Sequence, residues 1–132
     1  MTRRSAAAVR ILIADDHRLF AEALEAMLAT EGRLEVLGRA ADGREAVELA
    51  RELEPDVVLL DISMPVMDGF EAATRISQLP ARPAVLMLTG SSSSEDVDRA
   101  RRAGARGYVT KDAIAARLVD AILDAAQSRG PR

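Results

Sequence analysis

Five short apolar runs, separated by stretches with helical periodicity, limit what this chain can fold into more than any other feature. The runs are Val9–Ala14, Leu34–Gly38, Val57–Asp61, Ala84–Thr89 and Arg106–Thr110. The third, Val57-Val58-Leu59-Leu60, has no polar residue on either alternating face, which suits a strand covered on both sides in a parallel sheet. The second is interrupted by Glu35 and reads as an edge strand. Between the runs, Phe20, Ala23, Leu24, Met27 and Leu28 recur at helical spacing, with Gly32 as the expected stop. Asp42-Gly43-Arg44-Glu45 reads as a capping box, with Ala46, Leu49, Ala50 and Leu53 as the buried face and Pro55 as the terminator. A short helix is expected over 70–77. The next is expected to run from the N-cap candidates Ser91–Ser94 to about Ala103. Its apolar residues are nearly confined to Val97, Ala100 and Ala103, so weak anchoring and mobility are expected. Ile114, Leu118, Ala121, Ile122 and Ala125 mark the last helix. Strict alternation of this kind predicts an α/β domain: a parallel sheet with helices on both faces, joined by right-handed crossovers.

Composition narrows the function classes. A chain of 132 residues supports one core and one domain, here 9–127, with 1–8 read as a leader and 128–132 as a tail or linker start. There is no Cys, so a disulfide framework and a thiolate zinc site are both excluded, which fits a reducing cytosol. Lys+Arg 18 against Asp+Glu 21 leaves a net charge of −3, and aromatics are only 2%. Neither an overall basic field nor base-stacking surfaces follow, so direct nucleic-acid binding is not expected. The apolar part after the leader is short and holds Arg10, unlike a signal peptide, and no run reaches the length of a membrane span.

The polar residues at the run ends carry the chemistry. Asp15-Asp16, Asp61, Thr89 and Lys111 close runs one, three, four and five. In a parallel sheet all carboxyl ends share one edge, so these residues converge. Neighbouring carboxylates raise each other's proton affinity, and a divalent cation with oxygen ligands relieves the repulsion; Mg²⁺ fits, leaving room for phosphate oxygens. Taken singly, Asp61 reads equally as a turn cap, Asp15-Asp16 as a helix N-cap, Thr89 as a strand terminus and Lys111 as a solvated charge. Their joint occurrence favours a site, and carboxylate, metal, hydroxyl and cation together suit acceptance of a phosphoryl group.

With these residues in view, the chain resembles the receiver domain of two-component response regulators. The resemblance is carried by Ile13-Ala14-Asp15-Asp16-His17, Leu60-Asp61-Ile62-Ser63-Met64-Pro65 with Met67-Asp68-Gly69, Leu88-Thr89-Gly90, and Gly107-Tyr108-Val109-Thr110-Lys111, over roughly residues 9–127. It implies a flavodoxin-like doubly wound sheet of five parallel strands, order 2-1-3-4-5, with five helices. It further implies that Asp61 is the phosphoacceptor for a sensor histidine kinase. Asp16 and Asp61 would ligate Mg²⁺ with the Ser63 backbone carbonyl, and Asp15 would act mainly through water. Thr89 and Lys111 would contact the phosphoryl group, and Thr89 and Tyr108 would form the switch, although Tyr108 is also compatible with a plain strand aromatic. Ser63 and Ser91 occupy the positions that tune dephosphorylation, and both are too small to shield the phosphoryl group well.

Asp112-Ala113 follows Lys111 where many receivers have proline. With Asp15-Asp16-His17-Arg18-Leu19-Phe20, this resembles the subgroup bearing a LuxR-type helix-turn-helix output. The expectation is a cytoplasmic, transcription-controlling receiver, either excised from a longer protein that carries such a module or standing alone, with homodimerisation on phosphorylation open. Two other readings compete. An aspartyl-phosphate phosphatase would place a second Asp where Ser63 stands and would need a cap domain. An interaction module with a defunct site would not keep the full residue set. P-loop and GxSxG signatures are absent.

Overall fold

The third apolar run forms the centre of the molecule because it can satisfy itself only when covered on both faces. A computed structural model, which describes residues 8–90 and 94–128, places this strand, β3 (Val57–Asp61), between β1 (Val9–Ala14) and β4 (Ala84–Thr89). β2 (Leu34–Ala40) and β5 (Gly107–Thr110) are the edges, so the parallel sheet has the order β2-β1-β3-β4-β5. The connecting helices are α1 (Arg18–Ala29), α2 (Gly43–Leu53), α3 (Gly69–Ser77) and α4 (Ser94–Arg102). A single 3-10 turn, Lys111–Ala113, leads from β5 into α5 (Ile114–Ser128).

Strand side chains alternate between two cores. Leu12, Ala14, Val58, Leu60, Val85 and Met87 point to one, under α2, α3 and α4. Ile11, Ile13, Leu59, Leu86, Leu88 and Val109 point to the other, under α1 and α5. All of β3 is buried, Asp61 included. α4 contributes to its core through buried Ala100 and Ala103 and half-buried Val97. At roughly 25 cal/mol per Å² of apolar surface, such small side chains anchor it weakly, as its composition suggests.

Several boundaries differ from the sequence expectation for definable reasons. β2 continues past Gly38 to Ala40, because an edge strand tolerates the exposed Arg39, which pairs with Glu25 of α1 at 3.3 Å. A register shift against β1 between Ile11 and Leu12 leaves Leu37 as the extra residue. α1 ends at Ala29 without help from Gly32: Thr30 caps it, its hydroxyl donating to the Met27 carbonyl at 2.7 Å. Within α1, Ala21 is buried and Ala23 is exposed, a rotation of the expected face. The capping box of α2 forms with one change. The Asp42 carboxylate accepts from the Glu45 N–H at 2.8 Å, but the Glu45 carboxylate reaches past Asp42 to the Ala41 N–H at 2.7 Å.

At its other end α2 stops at Leu53, with Glu54 left-handed at φ 51° just before Pro55. The Arg10 guanidinium, from β1, donates to the Leu53 and Glu54 carbonyls at 2.9 and 2.8 Å, satisfying orphan acceptors at the helix end. Replacing Arg10 with alanine is expected to cost about 1–2 kcal/mol, for two charge-assisted hydrogen bonds made partly in solvent. That corresponds to a fall in Tm of roughly 3–10 °C in a thermal melt.

Candidate functional site

The carboxyl edge of the sheet collects the polar run ends. Asp15 follows β1, Asp61 and Thr89 end β3 and β4, and Lys111 follows β5. Asp15, Asp61 and Thr89 are the buried polar residues among those described, at 3%, 4% and 4% exposure, and the other buried positions among them are apolar. Burying a carboxylate is costly unless it is paired. Lys111 supplies the pairing: its Nζ lies 3.2 Å from Asp15 Oδ2 and 3.6 Å from Asp61 Oδ2. The lysine thus bridges the two acids and stands nearer to Asp15. Its ammonium also sits 4.5 Å from the ring centroid of Phe20 in α1, so Phe20 serves as a floor for the cation as well as a core residue.

Local turns hold each acid. The Asp15 carboxylate accepts from the His17 N–H at 2.8 Å, which turns the chain into α1. Asp61 accepts from the Ser63 N–H at 3.4 Å. Burial is the main influence on the Asp61 carboxyl and raises its proton affinity; the nearby Asp15 charge adds to this, while Lys111 and the Ser63 N–H oppose it. Asp15 Oδ2 is buried and accepts no hydrogen bond; its contact is the ion pair with the Lys111 ammonium at 3.2 Å. One ligand atom from each of Asp15, Asp16, His17 and Asp61 can be chosen so that all lie within 4.8 Å of one another. A buried acceptor without a hydrogen bond, beside two further carboxylates, is the donor set a hard divalent cation takes, so the residues fit Mg²⁺.

The loop from Ile62 to Asp68 borders the site and is pinned by close backbone approaches. Gly69, the first residue of α3, donates its N–H to the Ile62 carbonyl at 2.8 Å. A Cβ on Gly69 would run into the Asp61 carbonyl, and one on Gly43 into the Met67 carbonyl. Val66 takes a left-handed φ of 70° in a tight turn closed by the Met67 N–H and the Pro65 carbonyl at 2.7 Å. Beside this loop runs an open groove of about 640 Å³ lined by Asp16, Ser63, Met64, Phe70, Asp96 and Arg99. The Arg99 guanidinium of α4 lies 3.9 Å from the centroid of the Phe70 ring of α3.

The sequence-derived residues therefore assemble as a set. Asp15, Asp16, Asp61 and Lys111 meet, with buried Thr89 at the end of the adjacent strand. Ser63 is exposed at the groove. Tyr108 is half-buried on β5, level with Met87 of β4, between two small clefts facing α4 and α5. Ser91 lies outside the described residues, as do the other N-cap candidates Ser92 and Ser93. Sequence reasoning missed the roles of His17, Phe20, Gly43 and Gly69. For His17 the adjacency to Asp15-Asp16 was a usable signal; for the glycines nothing in the sequence showed which backbone would pass over them.

Comparisons with known proteins agree with this geometry. Residues 11–123 match the family described as response regulator receiver domain. Over 114 residues the chain is 40% identical to the transcriptional regulatory protein LiaR of Bacillus subtilis and 38% identical to the response regulator protein VraR of Staphylococcus aureus. Each match takes in 86% of this chain and 54% of the relative, so the chain spans about half the length of these relatives. Among solved structures, the receiver domain of the putative response regulator NarL from Mycobacterium tuberculosis superposes with a TM-score of 0.84 at 38% identity, covering 92% of this chain and 98% of that one. A LuxR-family two-component response regulator from Aurantimonas sp. SI85-9A1 gives 0.87 at 35% identity, covering 92% and 87%.

Proposed function

The chain belongs to the response regulator receiver family, and from that premise we propose that it accepts a phosphoryl group on Asp61 from a sensor histidine kinase. The observation that carries the reading is a buried carboxylate at the end of the central strand, 3.6 Å from the Lys111 ammonium and beside the second buried carboxylate of Asp15.

An Asp61 carboxylate oxygen forms a bond to phosphorus as the phosphorus–nitrogen bond of a phosphohistidine breaks, and the departing imidazole takes a proton from solvent. Raised proton affinity at Asp61 reflects a poorly solvated, and so more reactive, carboxylate. β3 holds it still, since every residue of that strand is buried. Asp15, Asp16, Asp61 and the Ser63 carbonyl would hold Mg²⁺, which when bound supplies positive charge that offsets the carboxylates and the phosphoryl oxygens. Lys111, already poised between Asp15 and Asp61, pairs with a phosphoryl oxygen, and the Thr89 hydroxyl donates to another. Ser63, exposed and small, leaves water access to the acyl phosphate, which can then hydrolyse on its own.

Movement of Thr89 and Lys111 towards the added charge makes room for Tyr108, which has clefts on both sides, and shifts the weakly anchored α4. The altered α4–β5–α5 face then reports phosphorylation to an output, which in relatives named as transcriptional regulators points to control of transcription. No described helix is long and apolar enough to cross a membrane.

The test is incubation of the protein with acetyl phosphate and Mg²⁺, followed by borohydride reduction of the acyl phosphate and peptide mapping. Asp61 should be the reduced residue, and chelation of Mg²⁺ should suppress the reaction. Modification elsewhere, or none, sinks the assignment.

A further inference from the structure

His17 is the chain's single histidine, and it stands at the mouth of the carboxylate cluster without a role in the phosphoryl chemistry. Its ring Nδ1 lies 3.4 Å from Asp15 Oδ1 and 3.5 Å from Asp16 Oδ1. Two atoms bound to one tetrahedral first-row ion, each about 2.1 Å away, stand roughly 3.4 Å apart. The imidazole and the two carboxylates are therefore spaced as shared ligands of one small ion. The hydrogen bond from the His17 N–H to Asp15 fixes the backbone of His17 against the cluster. One ligand atom from each of Asp15, Asp16, His17 and Asp61 lies within 4.8 Å of the others, so the imidazole belongs to the same cluster as the three carboxylates.

We infer that His17 is a metal ligand that gives this site affinity for transition metals which take nitrogen, such as Co²⁺ and Zn²⁺, in addition to Mg²⁺. The reason is ligand preference. Mg²⁺ is a hard cation that selects oxygen and keeps its waters, so an imidazole adds nothing to its binding. First-row transition ions bind imidazole readily and follow a general affinity order in which Co²⁺ and Zn²⁺ stand well above the hard ions at a mixed nitrogen–oxygen site. The ring is 70% exposed, so it can turn towards an ion without disturbing the core. A transition ion held there competes with Mg²⁺ for the phosphoacceptor and makes the receiver sensitive to metal balance. The inference rests on the metal site of the proposed function but not on phosphoryl transfer.

The test uses untagged protein at fixed neutral pH, in which any imidazole signature must come from His17. Calorimetric titrations with Co²⁺ and with Mg²⁺ are run on the natural chain, His17→Ala and Asp16→Asn. The expected result is Co²⁺ binding at least about 10-fold weaker in His17→Ala, with Mg²⁺ affinity changed less than about 2-fold. The visible absorption of bound Co²⁺ should shift in the same variant, while Asp16→Asn should weaken both ions. Equal Co²⁺ affinity and an unchanged spectrum in His17→Ala overturn the inference while leaving the Mg²⁺ site intact. If the natural chain binds Co²⁺ through His17 but fails to bind Mg²⁺, the Mg²⁺ reading falls and this one stands. If it binds neither ion, both fall.

Discussion

Asp61→Asn should abolish phosphorylation by acetyl phosphate and, at neutral pH, make the protein more stable. The first effect follows from removing the nucleophilic oxygen; an intact-mass measurement should find no phosphoryl group on the variant under conditions that load the natural chain. Persistence of the added mass would place the acceptor elsewhere. The second effect follows from the environment. Burial, with the Asp15 charge next in importance, raises the Asp61 proton affinity in the folded state despite Lys111. A carboxyl whose folded pKa is raised costs stability when ionised, and the cost is fully present above the folded pKa. As pH falls through that folded value towards the ordinary carboxylate range, the folded protein takes up the proton first and the cost disappears.

The amide, which cannot ionise, should therefore exceed the natural chain by on the order of 1 kcal/mol at pH 7, or roughly 3–5 °C in Tm. Lys111 keeps a partner in Asp15 at 3.2 Å, so the variant does not strand a half-buried cation. The stability difference should shrink on acidification and vanish below the unfolded carboxylate pKa. A variant less stable than the natural chain at pH 7 would show that the Lys111 pair outweighs desolvation.

Gly69→Ala should be among the most damaging of the small substitutions, and it acts directly on the site. The added methyl meets the Asp61 carbonyl and lies 2.7 Å from Ile62 Cα, both backbone atoms of the strand end and the loop that form the site. Backbone cannot rotate aside as a side chain would, so either α3 or the end of β3 must move. Overpacking of this kind costs about 3 kcal/mol at the upper end of its usual range, equivalent to a Tm lower by roughly 9–15 °C. Because the clash is with Asp61 itself, the fraction that stays folded should also load phosphoryl groups more slowly. Gly32→Ala is the control. Nothing lies within 4 Å of its added Cβ and its φ is not left-handed, so its Tm should stay within about 2 °C. A normal melt for Gly69→Ala would show that the loop yields easily, contrary to its close backbone contacts.

Much of the fold and site was legible in the chain because the signals were local or redundant. Val57 to Leu60 had to be buried on both faces, and it lies between β1 and β4. Glu35 marked an edge, and β2 is one. Asp15, Asp16, Asp61 and Lys111 could be grouped before any coordinate was known, since a parallel sheet brings all its carboxyl ends to one side. Helix faces were read less well. Ala21 and Ala23 are equally apolar, and one step in the helical phase decides which is buried. Phe20 fits the same periodicity as Leu24, yet it lies beneath the Lys111 ammonium.

What the sequence determined by itself was the alternation of strand and helix and the identity of the residues at each strand end, because both depend on spacing along one chain. What the tertiary structure decided was distance. Lys111 stands closer to Asp15 than to Asp61. His17 turns back onto the carboxylates, and the loop after Asp61 passes over Gly43 and Gly69 so closely that neither could carry a side chain. Those separations depend on how strands far apart in sequence register and twist against one another, and no local pattern encodes them.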